Sequence, residues 1–370
     1  MGRRGFALEL YRCGPRDGNV VVSPLAVELA LAAVAEGARG RTRAELDAVL
    51  SPVQQGGRDE SVPADEEGGL LRIALGLWGQ EGTAFAGPFL KTVQSRYRAG
   101  VGFVDYARAP EQARQRINAW VRERTDGRIH ELVPPGRLSA RTVLVVTSAV
   151  AFRGVWEHAF DPAHTVSARF EAEDGSVGTV RMMSRPAPAQ LRYAERDDVQ
   201  VVELPFRGGG WAMIVALPRR GRALRALEGR LTPAYLASVL ESLEVTPVRV
   251  ALPRFAVSGR PEDLGPRGTG TLVEMGVRDA FDPARADFTG IVPGERVFID
   301  GVLHAASVAV DEEGARASAS SGALLTRGAM PGAAVRFRAD RPFLFLIRHR
   351  KTGEVLFIGR IARPPEPGGD

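Results

Sequence analysis

Five histidines and one acidic triplet are the residues of this chain whose side chains could carry a reaction or bind a metal ion. His130 and Glu131 begin a zinc-protease pattern, but Pro134 stands where the second histidine would have to lie. The acidic residues 311–313 are consecutive, and successive residues of a strand point to opposite faces, so their carboxylates do not converge. The chain also lacks a Gly-x-Ser-x-Gly nucleophile turn. We therefore expect no catalytic residue, no metal site and no cofactor.

The most informative segment runs from residue 311 to residue 343. Long loops inside compact domains are either functional or disordered, and the composition of this one decides between the two. Small residues occupy its alternate positions, namely Ala315, Ala317, Ala319, Ser321 and Ala323. Alternate residues of a strand share one face, so this segment could lie between two existing strands without a clash. No proline, which would remove a ladder hydrogen bond, occurs between residues 314 and 327.

The positive charge of the chain does not indicate nucleic-acid binding. The net charge is +5, but every basic residue except Lys91 and Lys351 is arginine, a bias typical of a GC-rich genome. The arginines are scattered among 44 acidic residues and form no long basic block. We expect no nucleic acid among the partners.

The composition is ordinary for a soluble globular protein, with 44% hydrophobic and 25% charged residues. No apolar run is long enough to span a bilayer, so no membrane contact is expected. The first residues lack the apolar segment of a signal peptide, which predicts a cytoplasmic location unless an export segment precedes Met1. Cys13 is the only cysteine, and this excludes an intramolecular disulfide.

Helical patterns lie mainly in the first half of the chain and strand patterns in the second. The predicted helices are residues 25–37, 42–50 with Thr42 as its cap, 88–97, 109–125 and 231–243. The predicted strands are residues 142–152, 189–193, 199–204, 211–217, 247–255, 297–310 and 343–358. Residues 142–152 (TVLVVTSAVAF) are typical of a strand buried on both faces. The pattern predicts an α+β fold on a large mixed sheet, in one domain over residues 1–370.

A series of short motifs, in the same order along the chain, resembles the serpin family of serine protease inhibitors. The motifs are NVVVSP at 19–24, GARGRT at 37–42, RINAWV at 116–121, FRGVW at 152–156, ELPF at 203–206, LPRF at 252–255, VLHAA at 302–306, VDEEG at 310–314 and RPF at 341–343. The resemblance covers nearly the whole chain, and we expect a bacterial-type member of the family. It implies three β-sheets with a large central mixed sheet, about eight or nine helices, and an exposed reactive-centre loop at about residues 314–335.

The resemblance also implies a function. A serpin offers its loop to a serine protease as a substrate, is acylated, and inserts the N-terminal part of the loop into the central sheet. The hinge that would insert comprises Glu313, Gly314, Ala315, Ala317, Ala319 and Ser321. The expected partner is a serine protease held in a covalent acyl complex, and the protein is expected to be a monomer. A non-inhibitory serpin-fold binding or structural protein, whose loop is only a substrate, is the alternative.

The bond that a protease would cut is not fixed by the loop's length. Counting from Gly314 places it after Gly328, and counting back from Phe337 points to Ala329. Arg327 fits an acidic specificity pocket through a charge-assisted bidentate contact, which favours the Arg327–Gly328 bond and a trypsin-like protease. Cleavage at Leu325, Gly328 or Ala329 would instead indicate an elastase- or subtilisin-like partner, and cysteine proteases are a further alternative.

Four residues are expected to control the opening of the central sheet: Ser23, Ser148, Trp156 and His304. By the resemblance, asparagine is usual where this chain has Ser148, and serine is usual where it has Ala26. These two departures predict fewer hydrogen-bond partners for His304, whose role we expect to be structural.

Overall fold

The computed structural model describes residues 3–15, 17–50, 69–259, 262–312 and 334–364. The helices in these ranges are α1 (Arg3–Cys13), α2 (Pro24–Ala35), α3 (Gly40–Val49), α4 (Gly87–Tyr97), α5 (Pro110–Arg124), α6 (Leu224–Arg230), α7 (Pro233–Glu241) and α8 (Thr271–Glu274). The first eight strands are β1 (Val20–Val22), β2 (Gly69–Gln80), β3 (Gly100–Val104), β4 (Leu144–Gly154), β5 (Val166–Glu171), β6 (Val177–Ser184), β7 (Ala189–Arg196) and β8 (Val199–Pro205). The others are β9 (Trp211–Pro218), β10 (Glu244–Pro253), β11 (Phe255–Ser258), β12 (Glu262–Asp263), β13 (Gly301–Val310), β14 (Val335–Arg338), β15 (Phe343–His349) and β16 (Val355–Ile361). None of the described helices is long and apolar enough to cross a membrane.

One sheet is mixed, as predicted, and has the order β11-β13-β4-β2-β3 with β12 also paired to β13. β13 and β4 run parallel at its centre, and β2 runs antiparallel to β4. β3 is parallel to β2, while β11 and β12 are antiparallel to β13. Residues 142–152, predicted as a strand buried on both faces, supply β4, whose residues are buried except for the half-buried Arg153.

The remaining strands form one ten-stranded sheet with the order β1-β16-β15-β9-β8-β7-β10-β6-β5, to which β14 adds at β10. The first half of β10 pairs with β7, and its second half pairs with β14 and β6. The sheet therefore divides into two parts at β10. Counted separately, these parts and the mixed sheet are the three sheets that the resemblance implies.

Helix α2 fills the space between the two sheets. It contacts β16 of one sheet and β4 and β2 of the other, and all of its residues are buried. Ser23 is its N-cap, because the Ser23 Oγ accepts a hydrogen bond from the backbone N–H of Ala26, and Pro24 occupies the first helical position. The start of this helix is therefore fixed by local chemistry.

Helix α5 lies across the open face of the mixed sheet. The ring of Trp120 meets the ring of Trp78 edge to face at 5.4 Å. A Cβ atom at Gly100 would contact Trp120, and one at Gly102 would contact Trp78, so both tryptophans lie directly on glycine backbone. This packing covers the lower part of the sheet and leaves the upper part, towards the end of β13, half-exposed.

Several predicted boundaries were wrong. α3 begins at Gly40 and not at Thr42, whose Oγ1 instead accepts a hydrogen bond from the Asp287 N–H. The strand predicted at residues 297–310 begins only at Gly301, as β13. The strand predicted at residues 343–358 is two strands, β15 and β16. The predicted helix at 231–243 is the shorter α7, because Thr232 caps it and Pro233 begins it.

Candidate functional site

The centre of the mixed sheet is a seam between two parallel strands, β4 and β13. Its register runs from the pair Val145–Gly301 to the pair Phe152–Val308 without interruption. The resemblance implies that the loop after β13 inserts between these same two strands, which residues 142–152 and 302–310 supply. In this structure they are direct neighbours, so any inserted strand would first have to separate them. We call this paired region the β4–β13 seam.

The upper end of the seam is held by Trp156, which is buried. The Trp156 Nε1–H donates a hydrogen bond to the backbone oxygen of Asp311, 2.9 Å away, just after the end of β13. The indole ring stacks on Phe206 with a centroid distance of 4.6 Å and an interplanar angle of 14°. Trp156 therefore connects the chain just after β13 to the ten-stranded sheet.

Two further contacts hold Asp311 and the next residue, Glu312. Arg153 of β4 forms an ion pair with Asp311 at 2.9 Å, and the Phe160 N–H donates a hydrogen bond to the Glu312 backbone oxygen at 2.9 Å. Glu312 itself is buried. The end of β13 is thus anchored through both backbone oxygens and one carboxylate immediately before residue 313.

Lower on the seam, His304 of β13 lies fully buried between three elements. Its Nε2 accepts a hydrogen bond from the Ser23 N–H at the start of α2, 3.0 Å away. Its Nδ1 lies 3.0 Å from the Ser148 backbone oxygen and 3.3 Å from the Ser148 Oγ on β4. The Ser23 Oγ donates in turn to the Leu356 oxygen of β16 at 2.7 Å. These residues, Ser23, Ser148 and His304, form what we call the histidine cluster.

The tautomer of His304 follows from these partners. A backbone N–H can only donate, so Nε2 is the unprotonated nitrogen, and Nδ1 carries the proton that is donated to the Ser148 oxygen. Both ring nitrogens are satisfied in the neutral form. Burial lowers the pKa of His304 to about 4, against a smaller opposing effect of the Ser148 backbone hydrogen bond.

His304 has a partner at each ring nitrogen, and whether these are fewer than the resemblance implies stays a prediction. The Ser148 backbone oxygen and the Ser23 backbone N–H are the closest partners of the imidazole. Ala26 contributes only its backbone N–H, which donates to the Ser23 Oγ at 3.4 Å. Sequence reasoning missed these backbone partners because they lie far apart along the chain.

The loop residues named from the sequence lie outside the described part of the chain. They are Glu313, Gly314, Ala315, Ala317, Ala319 and Ser321 of the hinge, and Arg327, Gly328 and Ala329 around the expected bond. Of the predicted loop at about 314–335, Ala334 and Val335 are described, and Val335 begins β14. Ser23, Ser148 and His304 come together as expected, and Trp156 lies at the upper end of the same seam.

A family model described as Serpin (serine protease inhibitor) matches residues 2–364. The chain belongs to the serpin family. Members of this family are protease inhibitors and not enzymes, which agrees with the absence of a catalytic motif from the sequence.

Individual serpins are similar over nearly the full length. The leukocyte elastase inhibitor of Bos taurus is 35% identical over 94% of this chain and 93% of its own length. An uncharacterized serpin-like protein of Thermococcus kodakarensis is 34% identical over 98% of this chain and 84% of its own length. These relatives confirm the family, while the bacterial-type assignment stays a prediction.

Solved serpin structures confirm the fold. The native-state structure of the thermophilic serpin tengpin superimposes with a TM-score of 0.85 and 25% identity, covering 98% of this chain and 93% of that one. Uncleaved ovalbumin superimposes with a TM-score of 0.85 and 26% identity, covering 98% of this chain and 99% of that one.

Replacing Trp156 by phenylalanine should loosen the end of β13 while keeping the ring stack on Phe206. The variant loses the hydrogen bond to the Asp311 oxygen, which costs about 1 kcal/mol of stability. We expect a lower thermal-unfolding midpoint and faster hydrogen exchange in peptides containing the end of β13. The matched control is Trp211→Phe, which changes a buried tryptophan of β9 in the other sheet. Equal exchange at the end of β13 in the two variants would contradict the anchoring role of Trp156.

The stability of the seam should depend on pH through two opposing groups. His304 stays neutral in the folded state down to about pH 4, whereas in the unfolded state it takes up a proton below about pH 6.5. Its contribution to the free energy of unfolding is therefore complete above about pH 6.5. As the pH falls towards 4, up to about 3 kcal/mol of that free energy is lost. Glu262 of β12 is the register partner of His304, and burial raises its pKa to about 7. Its contribution has the opposite sign, because stability is lost as the pH rises from about 4.5 to 7.

Thermal-unfolding midpoints of single variants between pH 4.5 and 7.5 separate the two groups. Removing His304 with His304→Gln should lower the slope of the midpoint against pH, and Glu262→Gln should raise it. His158→Gln, at an exposed histidine, should follow the unmodified protein. A slope unchanged in His304→Gln would rule out the linkage through the histidine cluster.

Proposed function

We propose that this serpin is an irreversible suicide-substrate inhibitor of serine proteases, which inserts the segment after Glu312 into the β4–β13 seam once the loop is cut. The observation that supports this best is the direct parallel pairing of β4 with the loop-bearing strand β13. The proposal includes a single domain over residues 1–370, a reactive-centre loop at about 314–335, and a monomeric, bacterial-type protein.

Strand direction favours insertion. A segment that follows β13 and turns back runs antiparallel to it, and because β4 is parallel to β13, the segment is antiparallel to β4 as well. Insertion therefore replaces one parallel pairing by two antiparallel ones. Antiparallel pairs are slightly more stable per residue, and a second row of ladder hydrogen bonds is added. An intact loop holds the chain in the less favourable arrangement, as stored strain.

The alternating hinge matches the two faces of the seam at its upper end. There Phe152 and Val308 are buried on the core side, whereas Arg153 and Ala309 are half-buried on the other side. A strand with Ala315, Ala317 and Ala319 on the core side would place its polar alternates on the half-open side. The reverse orientation would bury Arg316 without a partner, which is costly.

Arg327 supports a trypsin-like target, because a guanidinium group pairs well with a carboxylate at the base of a specificity pocket. A second candidate is an elastase-like protease. It is favoured by the relatives named leukocyte elastase inhibitor, at 33% to 35% identity, together with the small residues Gly328 and Ala329. Both candidates use the same insertion step and differ only in the bond that is cut.

The test is to mix the protein with trypsin, and separately with elastase, and to analyse the products on denaturing gels and by mass spectrometry. Inhibition should give a covalent band at the summed mass, and trypsin should release a C-terminal peptide that begins at Gly328. Arg327→Ala should lose the trypsin complex, and a release site at another residue would identify the second candidate.

The matched hinge variant is Ala317→Arg, which keeps the cleavage site but places a charge on the face that must be buried. It should be cut at the same bond without forming a covalent complex. Clean cleavage of the unmodified protein, with no covalent band and no rise in thermal-unfolding midpoint, would instead identify a non-inhibitory serpin whose loop is only a substrate.

A further inference from the structure

Three arginines share the solvent face of the two strands nearest the C-terminal base of the loop. Arg249 of β10 and Arg336 of β14 are direct register partners in a parallel pair. Arg338, two residues further along β14, points to the same face and is opposite Ala251. All three arginines are exposed. We call Arg249, Arg336 and Arg338 the arginine face.

This face is poorly neutralised within the part of the chain that the structure describes. No carboxylate there lies within ion-pair distance of Arg249 or Arg336, and like charges in directly opposite positions destabilise a sheet. Arg338 has one carboxylate, Asp340 at 3.6 Å. That carboxylate is nearly buried and is shared with Arg220 at 2.5 Å and Arg341 at 2.9 Å. The arginine face therefore carries surplus positive charge.

We propose that the arginine face binds an acidic surface on the protease that cleaves the loop, so that it increases the rate of encounter. The inference rests on the proposed function. β14 begins at Val335, and Arg336 is nine residues after Arg327. Nine extended residues span at most about 30 Å. A protease interface covers about 800 Å² on each partner, a patch about 30 Å across, so an enzyme bound at Arg327 can reach β14.

A complementary acidic surface would relieve the repulsion between Arg249 and Arg336. Charges at the rim of an interface mainly change the association rate and its salt dependence, and have less effect on the final affinity. The arginine face should therefore govern how quickly a protease is captured. It should not change the fraction of captured molecules that complete inhibition, which depends on loop insertion.

The experiment compares two enzymes of the same primary specificity, an anionic and a cationic trypsin. We expect the unmodified protein to inhibit the anionic enzyme faster at low salt. Arg336→Glu and Arg249→Glu should each reduce that second-order rate constant by about tenfold, with the difference disappearing in about 1 M salt. Arg336→Lys should retain the rate, because it retains the charge.

The matched control is Arg141→Glu. Arg141 is also exposed and without an ion pair among the described residues, and it lies just before β4, at the opposite end of the seam from the loop. This variant has the same net charge as Arg336→Glu, so it corrects for the charge of the whole molecule. It should keep the rate of the unmodified protein to within about twofold, since its charge lies at the far end of the seam from the loop and is screened more than a charge at the interface.

Equal rates for Arg336→Glu and Arg141→Glu, with covalent complexes still formed, would overturn this inference and leave the proposed function intact. The inference is also overturned if Arg336→Glu weakens binding to heparin but leaves the rate of protease inhibition unchanged. The arginine face would then bind a polyanion and not the protease. Absence of a covalent complex between the unmodified protein and any of the three enzymes, the two trypsins and elastase, would overturn both proposals.

Discussion

The parallel pairing of β4 with β13 is the interaction on which the rest of this structure depends. It joins the strand that leads into the loop to the centre of the mixed sheet. β13 has the parallel strand β4 on one side and the short antiparallel strands β11 and β12 on the other. It is therefore less firmly held than a central strand between two long antiparallel neighbours. The fold then adds side-chain contacts along the seam, and these contacts decide how readily it separates.

Those contacts lie at two levels of the seam and use different chemistry. At the upper end, Trp156 binds the backbone of Asp311 through a hydrogen bond supported by an aromatic stack. The Arg153–Asp311 ion pair and the Phe160–Glu312 backbone hydrogen bond act beside it. Lower down, His304 joins the start of α2 to β4, and this contact requires a neutral imidazole. Glu262, in register with His304, has a buried Oε2 without a hydrogen-bond partner among the described residues. The lower level is thus balanced between two groups with opposite responses to pH.

Much of this could be predicted from the sequence, and the reasons for the exceptions are physical. Local chemistry fixed the start of α2 through Ser23 and Pro24, and the β-branched run at 142–152 predicted the buried strand β4. The sequence named Ser23, Ser148 and His304 together, and they are in contact, but it could not show that the closest partners of His304 are backbone groups brought together by tertiary structure. Thr42 is a residue type that often caps helices. Its hydroxyl instead accepts a hydrogen bond from the backbone N–H of Asp287, more than 200 residues away. The change of partner along β10, from β7 to β6 and β14, likewise has no local signal in the sequence.

The central claim is that the segment after Glu312 becomes a new strand between β4 and β13. The most direct measurement is a crystal structure of the protein after cleavage of its loop. We predict that the distance between β4 and β13 increases from one strand spacing, about 4.8 Å, to two, about 9.6 Å, with residues from 315 onwards hydrogen-bonded antiparallel to both. A cleaved protein in which Phe152 and Val308 remain register partners would contradict this claim.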